Sequence, residues 1–196
     1  MLGEGNLKKN ITENGTTKLN GNIKVTDNIN INGTLNGNGK TIDMQDGAIK
    51  TLNIGTLTGN SFIKLDADLE TNTSDKIITT NGSGANITLN GLKLIKDSTN
   101  ENGTLSNVFG NVHNVTLTNN TIYTTGYKYI FNYSGGSLNY TRSVSTKGLS
   151  DYINGDMDNL SVTKDTTISE SGIIGTVKNG HNVELPLNGY DLTGIG

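Results

Sequence analysis

The feature that most constrains this chain is that it repeats itself. Four segments open on Asn and then alternate apolar and polar residues: Asn86-Ile-Thr-Leu-Asn-Gly-Leu-Lys-Leu94, Asn114-Val-Thr-Leu-Thr-Asn-Asn-Thr-Ile122, Asn159-Leu-Ser-Val-Thr-Lys-Asp-Thr-Thr-Ile168 and Asn182-Val-Glu-Leu-Pro-Leu-Asn-Gly-Tyr-Asp-Leu192. A weaker copy starts at Ser137, so the spacings are 28, 23, 22 and 23 residues. That period suits one coil of a parallel β-solenoid, in which each turn stacks on the last and shares its core. A β-sandwich with irregular strands is the competing architecture.

Within each unit, Ile87 and Leu89, or Val115 and Leu117, point to one face and the residues between them to the other. The phase of the repeat makes Ile87, Leu89, Leu92, Val115, Leu117, Ile122, Val162, Ile168, Val183 and Leu185 the expected core. Bends are expected at Asn90-Gly91, Asn119-Asn120, Lys164-Asp165 and Asn188-Gly189, because Asn and Gly tolerate left-handed backbone. The composition agrees: 30 Asn, 28 Thr and 26 Gly supply amide ladders, hydroxyl stacks and turns rather than chemistry. β-branched residues favour strand over helix, and one proline and no tryptophan leave a thin, aliphatic core. The whole chain, 1–196, is expected to be a single right-handed parallel β-helix of roughly eight coils of about 22–28 residues, about 40 Å long.

Formal charge is −3, and Arg142 is the single arginine, so the forked donor that dominates phosphate and base recognition is nearly missing; nucleic acid is not an expected partner. The absence of cysteine excludes disulfides and thiolate metal sites. No apolar run approaches the roughly 20 residues of a membrane span, and the first residues lack the pattern of a signal peptide. A secreted protein of this sequence is therefore expected to be an excised segment of something longer.

Residues 52–90 carry Leu57-Thr-Gly59, the alternating run Leu65-Asp-Ala-Asp-Leu69, the polar bend Ser74-Asp-Lys-Ile77, and a Gly-containing step into Asn86. In that order and spacing the stretch resembles the passenger domains of bacterial autotransporters, over about a fifth of the chain. The later units resemble the broader pectate-lyase-like β-helix class, which includes tail spikes and polysaccharide-cleaving enzymes. The passenger resemblance implies a rod on a Gram-negative cell surface, secreted by the type V route through a C-terminal outer-membrane barrel that would also tether it, and serving adhesion to a host glycan or protein or self-association. It implies neither a cofactor nor a membrane-embedded segment.

Candidate sites are few. Asp66, Asp68, Glu70 and Asp75 are weak candidates for a Ca²⁺ site, since alternate strand side chains stand about 6.6 Å apart, too far for one ion without carbonyls from a neighbouring coil. A solvated acidic face is the plainer expectation, and no metal site is assigned. His113 and His181 each precede an Asn-Val strand start and read as equivalent loop positions. The regional anomaly lies at 123–152, which holds six of the seven tyrosines, and from Asn102 to Ser150 there is no Asp or Glu. Tyr123, Tyr127, Tyr129, Tyr133, Tyr140 and Arg142 are the candidate ligand-binding residues, because a ring with a hydroxyl suits sugars and protein partners alike. Tyrosines stacked along an outer face, or covering the loop Tyr133-Ser-Gly-Gly-Ser137, are the competing explanation. Twelve Asn-x-Ser/Thr sequons, among them Asn86, Asn114 and Asn132, follow from the composition. No base-plus-acid constellation stands out, so the functional expectation is a non-enzymatic surface adhesin. A glycan-cleaving β-helix enzyme or a purely structural spacer are the alternatives.

Overall fold

The computed structural model describes residues 1–148, 151–152, 159–168 and 192–194, with backbone alone at 166–168 and 192–194. The described part is all-β, and its only helical backbone is at Asp151 and Tyr152. From the N-terminus the chain crosses back and forth between two parallel sheets. Strand β1 (Gly5–Leu7) lies in the first sheet, β2 (Thr16–Lys18) in the second, β3 (Ile23–Val25) in the first, β4 (Ile29–Asn36) in the second, β5 (Lys40–Asp43) in the first and β6 (Thr51–Thr58) in the second. Then come β7 (Ser61–Asp68) in the first sheet with the short antiparallel β8 (Thr73–Ser74) beside it, β9 (Lys76–Thr79) in the second, and β10 (Asn86–Lys96) in the first. After β11 (Asn102–Leu105), the second sheet ends at β12 (Phe109–Gly110) and the first at β13 (Asn114–Leu117).

The registers stack like on like. Ile23, Ile42, Ile63, Leu89 and Leu117 form one inward column of the first sheet. Ile29, Leu52, Ile77 and Phe109 form one in the second. Apart from half-buried Leu117, all of these are buried. Between them, the apolar faces of both sheets remove each other from water, which is the main source of stability in such a stack. Polar columns bond as well: Asn53 Nδ2 donates to Asn30 Oδ1 (2.9 Å), Asn30 N to Asn10 Oδ1 (2.9 Å) and Asn86 Nδ2 to Asn60 Oδ1 (3.2 Å), the expected amide ladder in part. At Gly33 and Gly55 the stacked strands come so close that a Cβ would lie 2.1 Å from the carbonyl oxygen of the preceding level, so only glycine fits.

The repeat alignment is correct at the step from 86 to 114 and fails at the copies at 137 and 159. Asn86 pairs with Asn114 and Leu89 with Leu117, in parallel and in the expected register. The next copy does not continue the stack: β14 (Thr121–Thr124), β15 (Tyr127–Ser134) and β16 (Ser137–Val144) form an antiparallel meander that also pairs with β11, and β17 (Leu160–Ser161) runs parallel to β14, with Leu160 opposite Tyr123 rather than Val115. The copy at Ser137 is thus a hairpin strand. Its cause is local: Gly135 and Gly136 both have positive φ (57° and 85°) between Ser134 and Ser137, which face each other across a two-residue hairpin turn. The last pair, β18 (Thr166–Ile168) with β19 (Leu192–Gly194), is parallel.

Other expectations shift in detail. Among the described residues the first sheet has six parallel strands, and the partnered residues of the two sheets lie from 18 apart (Gly5 with Ile23) to 32 apart (Ile77 with Phe109), a wider range than 22–28. Asn90-Gly91 is a bulge inside β10, where the register slips between Leu89 and Gly91, and not a bend. Left-handed asparagines occur instead at Asn38, Asn72, Asn107 and Asn111. Of the expected core, Ile87, Leu89, Ile122 and Val162 are buried, while Leu92, Val115 and Leu117 are half-buried at the end of the stack. The Ile168 side chain, His181, Val183, Leu185 and the Asn188-Gly189 bend lie outside the described residues.

Candidate functional site

The meander folds its tyrosines inward. Alternation along β15 puts Tyr127, Tyr129, Phe131 and Tyr133 on one face, and β16 adds Leu138 and Tyr140 to the same face. Tyr129 and Tyr140 are buried, at 0% and 2% exposure, and Tyr127 and Tyr133 pack partly buried against the same core. The rings meet edge to face: Tyr129 and Tyr140 have centroids 5.7 Å apart at 73°, and Phe109 and Tyr133 6.0 Å apart at 73°. The proposed tyrosine patch is therefore largely the packing of a cap over the end of the stack. The sequence could not separate these outcomes, because a period of two names two faces without saying which is inside.

A polar network threads that packing. Asp97 Oδ1 accepts from Thr124 Oγ1 (2.6 Å) and from Tyr129 OH (2.9 Å), and its Oδ2 accepts from Thr163 Oγ1. Tyr129 OH in turn accepts from Ser98 N at 2.9 Å. Burial first, and then the neighbouring Asp97 charge, push the Tyr129 hydroxyl well above its ordinary range, so it stays a protonated donor. Tyr140 OH donates to Asn72 Oδ1 (2.6 Å) and lies 2.8 Å from Ser98 Oγ. Arg142 Nη1 donates to the Ser98 carbonyl, and its guanidinium sits 4.2 Å from the Tyr127 ring centroid. Arg142 is thus spent on holding the meander to the loop after β10.

Tyr123 alone among the candidates points the other way, since its neighbours Ile122 and Thr124 are buried; it lies opposite Lys128. With Ile130 (43% exposed), Asn132, Asn139 and Thr141 it belongs to an outward face without a carboxylate.

The four candidate acids also divide. Asp66 and Asp75 are buried, Asp68 is half-buried and Glu70 exposed, so the expected solvated acidic face is only partly present. The reason is backbone capture. Asp66 Oδ2 accepts from Asp46 N (2.8 Å) and Gly47 N (2.6 Å), while Asp75 accepts from Lys50 N on Oδ1 and from Asp66 N on Oδ2, both at 2.7 Å. Each carboxyl pins a turn that has no ladder of its own. Burial outweighs these bonds and raises both pKa values, that of Asp75 to about 7. Asp66 Oδ1 is buried with no hydrogen-bond partner. Among the described residues no group of three or more His, Cys, Asp or Glu is placed to hold a metal ion. His113 is exposed beside β13.

One further feature was invisible in the sequence. An open cleft of about 450 Å³ runs between β13 and β15, lined by Val115 through Asn120 on one side and Asn132 and Tyr133 on the other. Its chemistry is that of amides, hydroxyls and one ring, with no charged side chain in the lining. No family model matches the chain, and no curated protein matches it significantly in sequence.

Proposed function

We propose that this chain is a rod-like segment of a non-enzymatic bacterial surface adhesin, of the autotransporter-passenger kind, whose circuits are coils of a right-handed parallel β-helix. The observation that carries the proposal is the strand order: from β1 to β13 the chain returns to the same two parallel sheets in turn, with like residues stacked. Such a stack is stabilised level by level, gains length without a larger core, and holds a surface at a distance from its anchor. The first sheet's six levels at about 4.8 Å span about 24 Å. Recognition of a host glycan or protein, or of a like molecule, falls to the outward face of the meander, where Tyr123, Lys128, Ile130, Asn132, Asn139 and Thr141 combine a ring, amides and hydroxyls without acidic repulsion.

The test is display of the chain on a non-adherent Gram-negative cell through a fused outer-membrane barrel. Adhesion to epithelial cells or cell clumping should rise above that of cells displaying the barrel alone, and should fall at least about tenfold for the triple change Tyr123→Ser, Lys128→Ser, Ile130→Ser. Adhesion that the triple change leaves intact would place recognition elsewhere, and no gain over the barrel alone would favour a plain spacer. Incubation with pectate or polygalacturonate should release no product; release would overturn the non-enzymatic reading.

A further inference from the structure

The two parallel sheets end differently at the cap. On the second sheet, the edge of β12 is sealed: Phe109 N donates to the Gly136 carbonyl at 3.0 Å, so the hairpin turn occupies the next level. On the first sheet, β10 is the one partner of β13 among the described residues. Leu117 is opposite Leu89, and Thr118 N donates to the Leu89 carbonyl at 3.0 Å. In a parallel ladder this phase turns the backbone groups of Thr116 and Thr118 toward β10, and those of Val115 and Leu117 away from it. Among the described residues, the N–H and C=O groups of Val115 and Leu117 face no strand, and they open into the cleft of about 450 Å³.

We infer that this edge accepts an extended acidic peptide of a partner protein as an added β-strand. A row of unpaired donors and acceptors is complemented best by another backbone, and strand addition at a free edge is a recurrent mode of peptide recognition. The opposite wall of the cleft is Asn132 and Tyr133 of β15. A second copy stacking a whole coil would need the level above β12 as well, and the Gly135-Gly136 turn is there. The acidic character follows from charge: no carboxylate occurs from Asn102 to Ser150, while Lys128 lies on β15, the strand that supplies the opposite wall. The cleft meets the outward face of the meander at Asn132, and the backbone edge at Val115 and Leu117 is what separates this inference from the adhesin proposal.

The probe is a capped peptide of about eight residues alternating valine and glutamate, with a lysine-for-glutamate counterpart and a version N-methylated on alternate amides, titrated into the isotopically labelled full chain. Backbone amide shifts should centre on Val115, Leu117 and Asn132, with the lysine peptide at least about fivefold and the N-methylated peptide at least about tenfold weaker. Val115→Pro removes an N–H that the ladder does not use, and should weaken binding about tenfold while shifting the melting temperature little. Should that variant fail to fold, the N-methylated comparison on the unaltered protein still decides. Equal binding of the N-methylated peptide, shifts confined to the outward face around Tyr123 and Thr141, no shift with any peptide, preferential shifts with neutral oligosaccharides, or a mass that doubles with concentration would each overturn the inference.

Discussion

The parallel stack from β1 to β13 and the antiparallel meander from β14 to β16 alternate apolar and polar residues in the same way, yet they close their cores by different means. In the stack, aliphatic side chains of similar size sit one above another, as Ile23, Ile42, Ile63 and Leu89 do. In the meander, Tyr129, Phe131 and Tyr140 meet edge-on or tilted with centroids 5.7 to 6.4 Å apart. A column of branched aliphatics repeats at the strand spacing and invites another level. Rings set across one another, with buried hydroxyls bonded to Asp97 and Asn72, fill the end of the column and offer no surface on which to stack. The difference teaches that the same strand alphabet builds the rod or ends it, according to the side chains on its inner face.

Breaking the stack should cost most. Ile63→Ala removes a buried side chain gripped by levels above and below, and should destabilise by about 2 to 5 kcal/mol in denaturant unfolding. A loss under about 1 kcal/mol would mean that the levels are not mutually supporting.

Loosening the cap should cost less and act locally. Gly136 has φ of 85°, and a Cβ there would lie 2.7 Å from the Phe109 carbonyl oxygen. Gly136→Ala should therefore destabilise by about 1 to 3 kcal/mol. Hydrogen exchange should speed up at the Phe109 amide and along β15 and β16, and not at β4 or β6. Uniformly faster exchange would show stack and cap to be one cooperative unit.

The inward and outward tyrosines sharpen the contrast. Tyr129→Phe deletes a hydroxyl that bonds Asp97 and Ser98 and should cost about 1 to 2 kcal/mol. Tyr123→Ser, on the outer face, should stay within about 0.5 kcal/mol. Equal costs would contradict the assignment of faces.

The smallest effect concerns pH. The native Asp75 pKa, about 7, lies above the ordinary value of 3.8, so the folded chain holds a proton that the unfolded chain releases. Its contribution is complete below about pH 4 and is lost as pH rises through about 7; the upward shift of Asp66 acts in the same direction. The melting temperature should therefore decline between about pH 4 and 7. Asp75→Asn should flatten that decline, at some cost in stability because an amide nitrogen cannot accept the backbone N–H that Asp75 now binds. An unchanged slope in the variant would assign the titration to other groups.

Sequence alone determined the all-β class and the stacking of Asn86 on Asn114, because period-two alternation and β-branched content act through neighbours along the chain. It also contained the sign of the hairpin: two glycines between alternating residues, Ser134-Gly-Gly-Ser137, are a strong local turn signal, and the repeat alignment passed over it. Only tertiary structure decided where stacking stops, which face of β15 is inside, and that Asp66 and Asp75 are buried rather than solvated. Each of these depends on what covers a residue from far along the chain: Asp46, Gly47 and Lys50 over the two acids, and Asp97 and Ser98 against Tyr129. Alternation names two faces, and only the pieces that pack against them determine which is dry.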